Sequence, residues 1–548
     1  MNEAYAIPAV AVVVLATVLI GGFGLRISRT TSDFYVASRT VGPRLNAAAI
    51  SGEYLSAASF LGVAGLLLVH GPDMLWYPVG YTAGYLVLLV FVAAPLRRSG
   101  AYTLPDFAEG RLESREVRRV VSMFVVGAGW LYLVPQLQGA GLTLQILTGA
   151  PRWFGGALVA AVVVLAVAAG GMRSITFVQA FQYWLKLTAL LVPAFFLVLA
   201  WRGDGGSPPT FPSADLPSAG VGAGQPLATS RADHPLYATY GLIVATFLGT
   251  MGLPHVVVRF YTSPNGRAAR RTTVVVLALV GVFYLLPPLY GWLGRIYAPE
   301  LTAAQDADAT VLLLPGRMVD GVAGDLLGAL VAGGAFAAFL STASGLTMAV
   351  AGVVSQDVLP ARGVRHFRLG VLLAMAVPLG GALLVDGVPV ADAVGMAFAV
   401  SASSFCPLLV LGIWWRRLTP PGALAGLFLG GGSALLAVTL TVSGAATSGW
   451  LHTLLAWPAV WSVPVGFLAM ILVSLATPDA IPTHTTATMT RLHLPETLWS
   501  GSLRPPGLQS RGASDTGGHQ GRGELRDPPY TTRTHDEAQG PTARREHK

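Results

Sequence analysis

The chain has 548 residues, 53% of them hydrophobic and 11% charged. That is too little charge to coat a soluble globule of this length and ample apolar matter for repeated bilayer crossings. The formal net charge of +8 is scattered between apolar runs or gathered in a polar tail, which excludes a nucleic-acid-binding face, and the single cysteine, Cys406, excludes a disulfide framework or a thiolate metal site.

A spanning helix needs about 20 mostly apolar residues. The first such run, 4–25, follows Met1-Asn2-Glu3, which lacks the basic region of a signal peptide, so it is expected to stay as a helix. Further runs lie at 44–70, 73–96, 117–147, 152–170, 177–201, 236–259, 272–296, 321–356, 366–385, 389–415, 421–443 and 452–476. They predict an all-α integral membrane protein of about 13 transmembrane helices.

With the N-terminus outside, the inward segments hold Arg26, Arg29, Arg39, Arg44, Arg97, Arg98, Arg111, Arg115, Arg118, Arg119, Arg173, Arg259, Arg267, Arg270, Arg271, Arg362, Arg365, Arg368, Arg416 and Arg417. The outward segments hold only Arg152, Arg202, Arg231, Arg295 and Arg317, a bias that sets orientation by the positive-inside rule. The Gly- and Pro-rich stretch 203–234 is the longest external connection and is expected to be irregular. Residues 477–548, rich in Gly, Pro, Ser, Thr and charge, are expected to form a disordered cytoplasmic tail.

Two of these segments carry helix breaks. In the second, Ala49-Ile50-Ser51-Gly52-Glu53-Tyr54-Leu55-Ser56-Ala57-Ala58-Ser59 places a glycine, a carboxylate and serine hydroxyls about 15 Å past the basic edge, at the bilayer midplane. In the seventh, Phe247-Leu248-Gly249-Thr250-Met251-Gly252-Leu253-Pro254-His255 joins two glycines to a proline that removes a helix hydrogen bond. Lipid cannot satisfy backbone groups freed at that depth.

Segments two to six (44–201) and seven to eleven (236–415) are units of five, an odd number, so the second is inverted relative to the first. Gly/Pro-interrupted segments at matching places in inverted halves point to a transporter binding site. The competing reading is that these small residues only let helices pack closely.

Ionisable groups at membrane depth are candidates for function. Glu53 and Lys186 lie at similar depth. They could pair, or Lys186 could meet a substrate carboxylate while Glu53 carries a coupling proton or attracts a cation; a purely structural pair is the alternative. Tyr54, Ser56, Gly249 and Gly252 flank the breaks as substrate or coupling candidates. His255 is either a satisfied interior group or a proton shuttle, and Gln136 and Gln138, just past Pro135, face a cavity or pack. In the ninth segment Ser341-Thr342-Ala343-Ser344-Gly345-Leu346-Thr347 groups hydroxyls suited to a hard cation, or bonded back to their own helix.

At these residues the chain resembles the sodium:solute symporter family, and within it the cation/acetate, or monocarboxylate, branch. The likeness runs from about Asp33 to Ala476. It rests on Ser32-Asp33-Phe34-Tyr35-Val36-Ala37-Ser38-Arg39, on Gly52 to Gly62, on Tyr102-Thr103-Leu104-Pro105-Asp106-Phe107, on Gly252-Leu253-Pro254-His255 followed by Arg259-Phe260, and on Ser355-Gln356-Asp357.

The resemblance implies a LeuT-type 5+5 inverted repeat with alternating access. It also implies a sodium site made by carbonyls of Gly52, Leu55 and Ala338 with hydroxyls of Ser341 and Thr342. Where the family often has an aspartate at the start of the sixth helix, this chain has Thr176 or Phe177, which leaves sodium and proton both open as the coupling ion.

The expected protein is a multi-pass plasma-membrane symporter of a small monocarboxylate such as acetate, propionate or pyruvate. The alternative is a sodium-coupled symporter of a neutral solute such as proline or a sugar. Beyond a coupling ion no cofactor is expected. No HExxH, GxSxG or aspartate cluster supplies enzyme chemistry.

Overall fold

A computed structural model describes residues 3–28, 30–206, 234–302, 307–359, 364–384, 390–445 and 447–498. Among the described residues ten helices are long and apolar enough to cross a membrane: α1 (Glu3–Ile27), α4 (Pro72–Ser99), α5 (Arg115–Thr148), α6 (Arg152–Gly203), α9 (Gly266–Tyr297), α10 (Gly321–Val358), α11 (Val364–Leu384), α12 (Val390–Trp414), α13 (Pro420–Val442) and α14 (Ala459–Ala476). Two more crossings are bent pairs, α2 with α3 (Pro43–Tyr54 and Ala58–His70, 70°) and α7 with α8 (Pro235–Gly252 and Pro254–Phe260, 41°).

At 52 residues, α6 would run about 78 Å, more than twice the ~30 Å hydrocarbon layer. It is interrupted at Gly171, whose φ of 54° and ψ of −152° no helical residue adopts. A Cβ there would stand 2.7 Å from Phe34 Cα, so only glycine meets both demands of the kink. Counting its halves as two spans gives the thirteen crossings that the apolar runs predict.

The chain stays in helices because each one satisfies its own backbone bonds, which an apolar solvent cannot do. α10 and α12 are the most enclosed of the spans and α1 and α11 the least. Leu15, Leu19 and Phe23 of α1 are exposed, as lipid-facing residues are.

Two short helices owe their starts to capping boxes, in which a threonine hydroxyl and an aspartate three residues on satisfy each other's backbone amides. Thr30 with Asp33 opens Thr31–Val36, and Thr103 with Asp106 opens Leu104–Leu112. These aspartates also bind arginines: Arg173 to Asp33 at 2.8 Å and Arg118 to Asp106 at 2.8 Å. Arg118 further reaches Glu109 (2.5 Å) and Asp357 (2.6 Å), tying together two of the sequence motifs.

The tail expectation is corrected over its first residues. Thr485–His493 is a helix, with Leu492 1% exposed. Arg98 Nη1 donates to the carbonyls of Leu492 and His493 (both 3.2 Å), and Arg111 Nη1 donates to Thr485 Oγ1 (3.3 Å). Basic groups at a helix C-terminus satisfy its last carbonyls. Burial pushes Arg111 down to about 10. The expectations for 207–233, for the tail from 499, and for Arg29, Arg231 and Arg362 lie outside the described residues.

Candidate cation and substrate site

The helix α2 ends at Tyr54, Leu55 turns out of helical geometry (φ −74°, ψ 86°), and α3 begins at Ala58. The backbone groups around this break are met by side chains from three other helices. Lys186, in the second half of α6, donates from Nζ to the carbonyls of Gly52 and Leu55 (the latter 2.7 Å) and to Ser341 Oγ on α10 (2.9 Å). Thr342 Oγ1 donates to Glu53 O at 2.6 Å. Ala57 N donates to Gln136 Oε1 on α5 at 3.0 Å. Ser341 Oγ donates its own proton to Ala338 O at 3.0 Å.

The five residues implied as sodium ligands therefore do converge at the break. Three of them surround the Lys186 ammonium. Glu53 does not pair with Lys186: its carboxylate lies 2.5 Å from Arg259 Nε on α8, both side chains being 1% exposed or less. Arg259 also donates to Thr176 Oγ1 (2.9 Å) and to Gln179 Oε1, and Gln179 Nε2 donates to Ser341 O (2.8 Å).

Arg259 is thus a correction. Its place at the end of an apolar run reads as an inward loop residue, but the chain restarts at Pro254, so Arg259 lies one and a half turns into a buried half-helix. The signal available was the proline five residues earlier.

Gly345 on α10 leaves the space that the Glu53 carboxylate fills, since a Cβ there would overlap it. Gly249 and Gly252 are close-packing positions: a Cβ on either would stand 2.5 Å from the carbonyl oxygen of Phe398 or of Ser401 on α12. That geometry favours the packing reading over substrate contact for these two.

Tyr54 seals the other side of the break. Its hydroxyl bonds Tyr81 O (3.0 Å) and Thr250 Oγ1 (2.8 Å), which links the two broken pairs directly. Its ring packs edge-on against Tyr85 and Phe398. His255, fully buried on α8, lies edge-on to Tyr132 with centroids 5.4 Å apart. Tyr132 stands one turn from Gln136 on α5.

Both ring nitrogens of His255 and Nε2 of Gln136 have no hydrogen-bond partner among the described residues. Unpaired buried polar groups of this kind are rare and call for a partner. Ser56 is buried within the break itself.

Thirteen crossings, two of them broken and facing each other around buried charges, define a secondary transporter of the LeuT-type 5+5 inverted-repeat fold. A solved structure of a Na+-coupled sialic acid symporter in its substrate-bound outward-open state superposes with a TM-score of 0.62, over 85% of this chain and 98% of that one. At 13% identity that likeness speaks for the fold.

Residues 34–430 match the sodium:solute symporter family, and the chain belongs to it. It is 31% identical over 481 residues to the "Uncharacterized symporter YwcA" of Bacillus subtilis, covering 84% of this chain and 92% of that protein. It is 29% identical over 488 residues to the "Monocarboxylic acid transporter" of Corynebacterium glutamicum, covering 81% and 87%.

Proposed function

We propose that the chain is a plasma-membrane symporter that couples a cation gradient to uptake of a small monocarboxylate such as acetate, propionate or pyruvate, with its N-terminus outside. The observation that carries the reading is the charge balance at the first break. Three ionisable side chains are buried there, the acidic Glu53 and the basic Arg259 and Lys186. An excess of basic over acidic groups buried at one place favours an arriving anion. The naming of the Corynebacterium relative as a monocarboxylic acid transporter supports the same class of solute.

In this reading the carboxylate is held by the two unpaired donors beside Tyr132, Gln136 Nε2 and the His255 ring, with Tyr54, Tyr85 and Phe398 as the apolar wall. Loading draws the broken pairs together, and the closed carrier then opens inward. Each net positive charge moved inward gains about 2.3 kcal/mol per 100 mV, so more than one cation per monoanion gives accumulation.

The test is uptake of labelled acetate and pyruvate by vesicles holding the purified protein, with sodium and proton gradients imposed separately. Saturable, gradient-driven accumulation competed by unlabelled propionate is the expected result. Uptake of labelled proline or glucose that carboxylates do not compete would refute the assignment.

A further inference from the structure

The strongest unassigned feature of the molecule is a positive charge in a cage of oxygens. Lys186 Nζ has three N–H groups when charged and faces three acceptors: the carbonyls of Gly52 and Leu55 and the hydroxyl oxygen of Ser341. Ser341 commits its own proton to Ala338 O, so toward Lys186 it is an acceptor. The count matches an ammonium and exceeds what a neutral amine can donate.

Lys186 makes no ion pair among the described residues, and Glu53 is taken by Arg259. Its charge is therefore offset by carbonyl and hydroxyl dipoles at a helix break, the way a desolvated hard cation is held. Three of the oxygens that would ligate a sodium ion between α2 and α10 are the oxygens bound to Nζ.

Thr176, where the family often has an aspartate, carries no charge and accepts a hydrogen bond from Arg259. Any sodium ion in the cage would stand against Lys186 and near Arg259, which already holds Oε2 of the Glu53 carboxylate.

We infer that Lys186 is a tethered cation that takes the place of sodium in this site: its ammonium holds the broken helix to α10, and Gly52, Leu55 and Ser341 bind no sodium ion while it is there. The inference deepens the proposed symport and rests on that reading only for its meaning in transport. Gradient coupling then does not run through a sodium ion at this position. The lysine becomes a specificity determinant, and its removal should turn the cage into a sodium site.

The experiment compares melting temperatures of the purified protein in sodium chloride and in choline chloride at equal ionic strength. The wild type should melt at the same temperature in both. Lys186→Ala should be destabilised in choline and regain several degrees in sodium, because an ion that binds only the folded state stabilises it, and adding Ser341→Ala should remove that gain.

Sodium stabilisation of the wild type that Ser341→Ala abolishes would overturn the inference, as would a folded Lys186→Ala indifferent to sodium. Should Lys186→Ala give no folded protein in either salt, binding of radioactive sodium to the wild type decides. Stoichiometric binding lost in Ser341→Ala overturns the inference, and no binding upholds it. None of these readouts needs a transported solute, so their failure leaves the carboxylate assignment standing, and failure of acetate uptake leaves the occupant of the cage untouched.

Discussion

Glu53 and Lys186 stand out in the sequence because charge inside an apolar run is expensive, and both prove fully buried at the break. Their partners were less legible. Sequence depth alone put the two together, whereas the fold gives Glu53 to Arg259 and Lys186 to main-chain oxygens. Removing one partner of a buried ion pair leaves the other charge stranded, at a cost of about 3–5 kcal/mol, whereas neutralising both costs far less. Glu53→Gln and Arg259→Gln should therefore each lower the melting temperature of the detergent-solubilised protein more than the double variant does, and additive losses would contradict the pairing.

His255 and Gln136 were candidates that sequence could not separate from packing residues, because a hydrogen-bond deficit is visible only in three dimensions. His255→Phe keeps the edge-on contact with Tyr132 but deletes the ring nitrogens. A lost hydrogen bond to a charged group is worth about 1.5–3 kcal/mol, so KM for acetate should rise roughly tenfold or more. An unchanged KM in uptake measurements would return His255 to a packing role.

At the level of elements, both helix interruptions were legible from Gly and Pro. The reason each exists differs between them. The α2 and α3 break frees groups that Lys186, Thr342 and Gln136 satisfy, while around α7 the glycines mainly admit the backbone of α12. Sequence spacing cannot tell these apart, since a glycine facing a carbonyl of another helix and a glycine facing a ligand read alike.

The motifs outside the membrane also acquire physical reasons. Thr103 and Asp106 are the two halves of one helix cap, and Asp106 is then positioned for Arg118. Burial holds the Asp106 carboxyl above the usual carboxylate range, and Arg118 opposes only part of that rise. Thr103→Ala removes the side-chain half of the cap, a loss of about 1 kcal/mol. Thermal unfolding should show a correspondingly small drop with transport preserved, and a complete loss of folded protein would mean that the cap does more than begin a helix.

On the scale of the whole molecule, the number and order of crossings followed from counting apolar runs, because bilayer thickness fixes the length of each one. The inverted repeat followed from parity. Composition failed at 478–498, a mostly polar segment that buries only Met489 and Leu492 in the hydrophobic core and is held by Arg98 at its last carbonyls, too few apolar residues for hydropathy to register.

The central claim is that the first break lies on the solute's path. It is tested most directly by placing a thiol there, Ser56→Cys, in a Cys406→Ala background that carries no other cysteine. A membrane-impermeant thiol reagent should modify Cys introduced at 56 from the outside in a fraction of carriers, and acetate or propionate, but not proline, should slow that reaction. A thiol that no aqueous reagent reaches from either side, or one protected by proline and indifferent to carboxylates, would contradict the account.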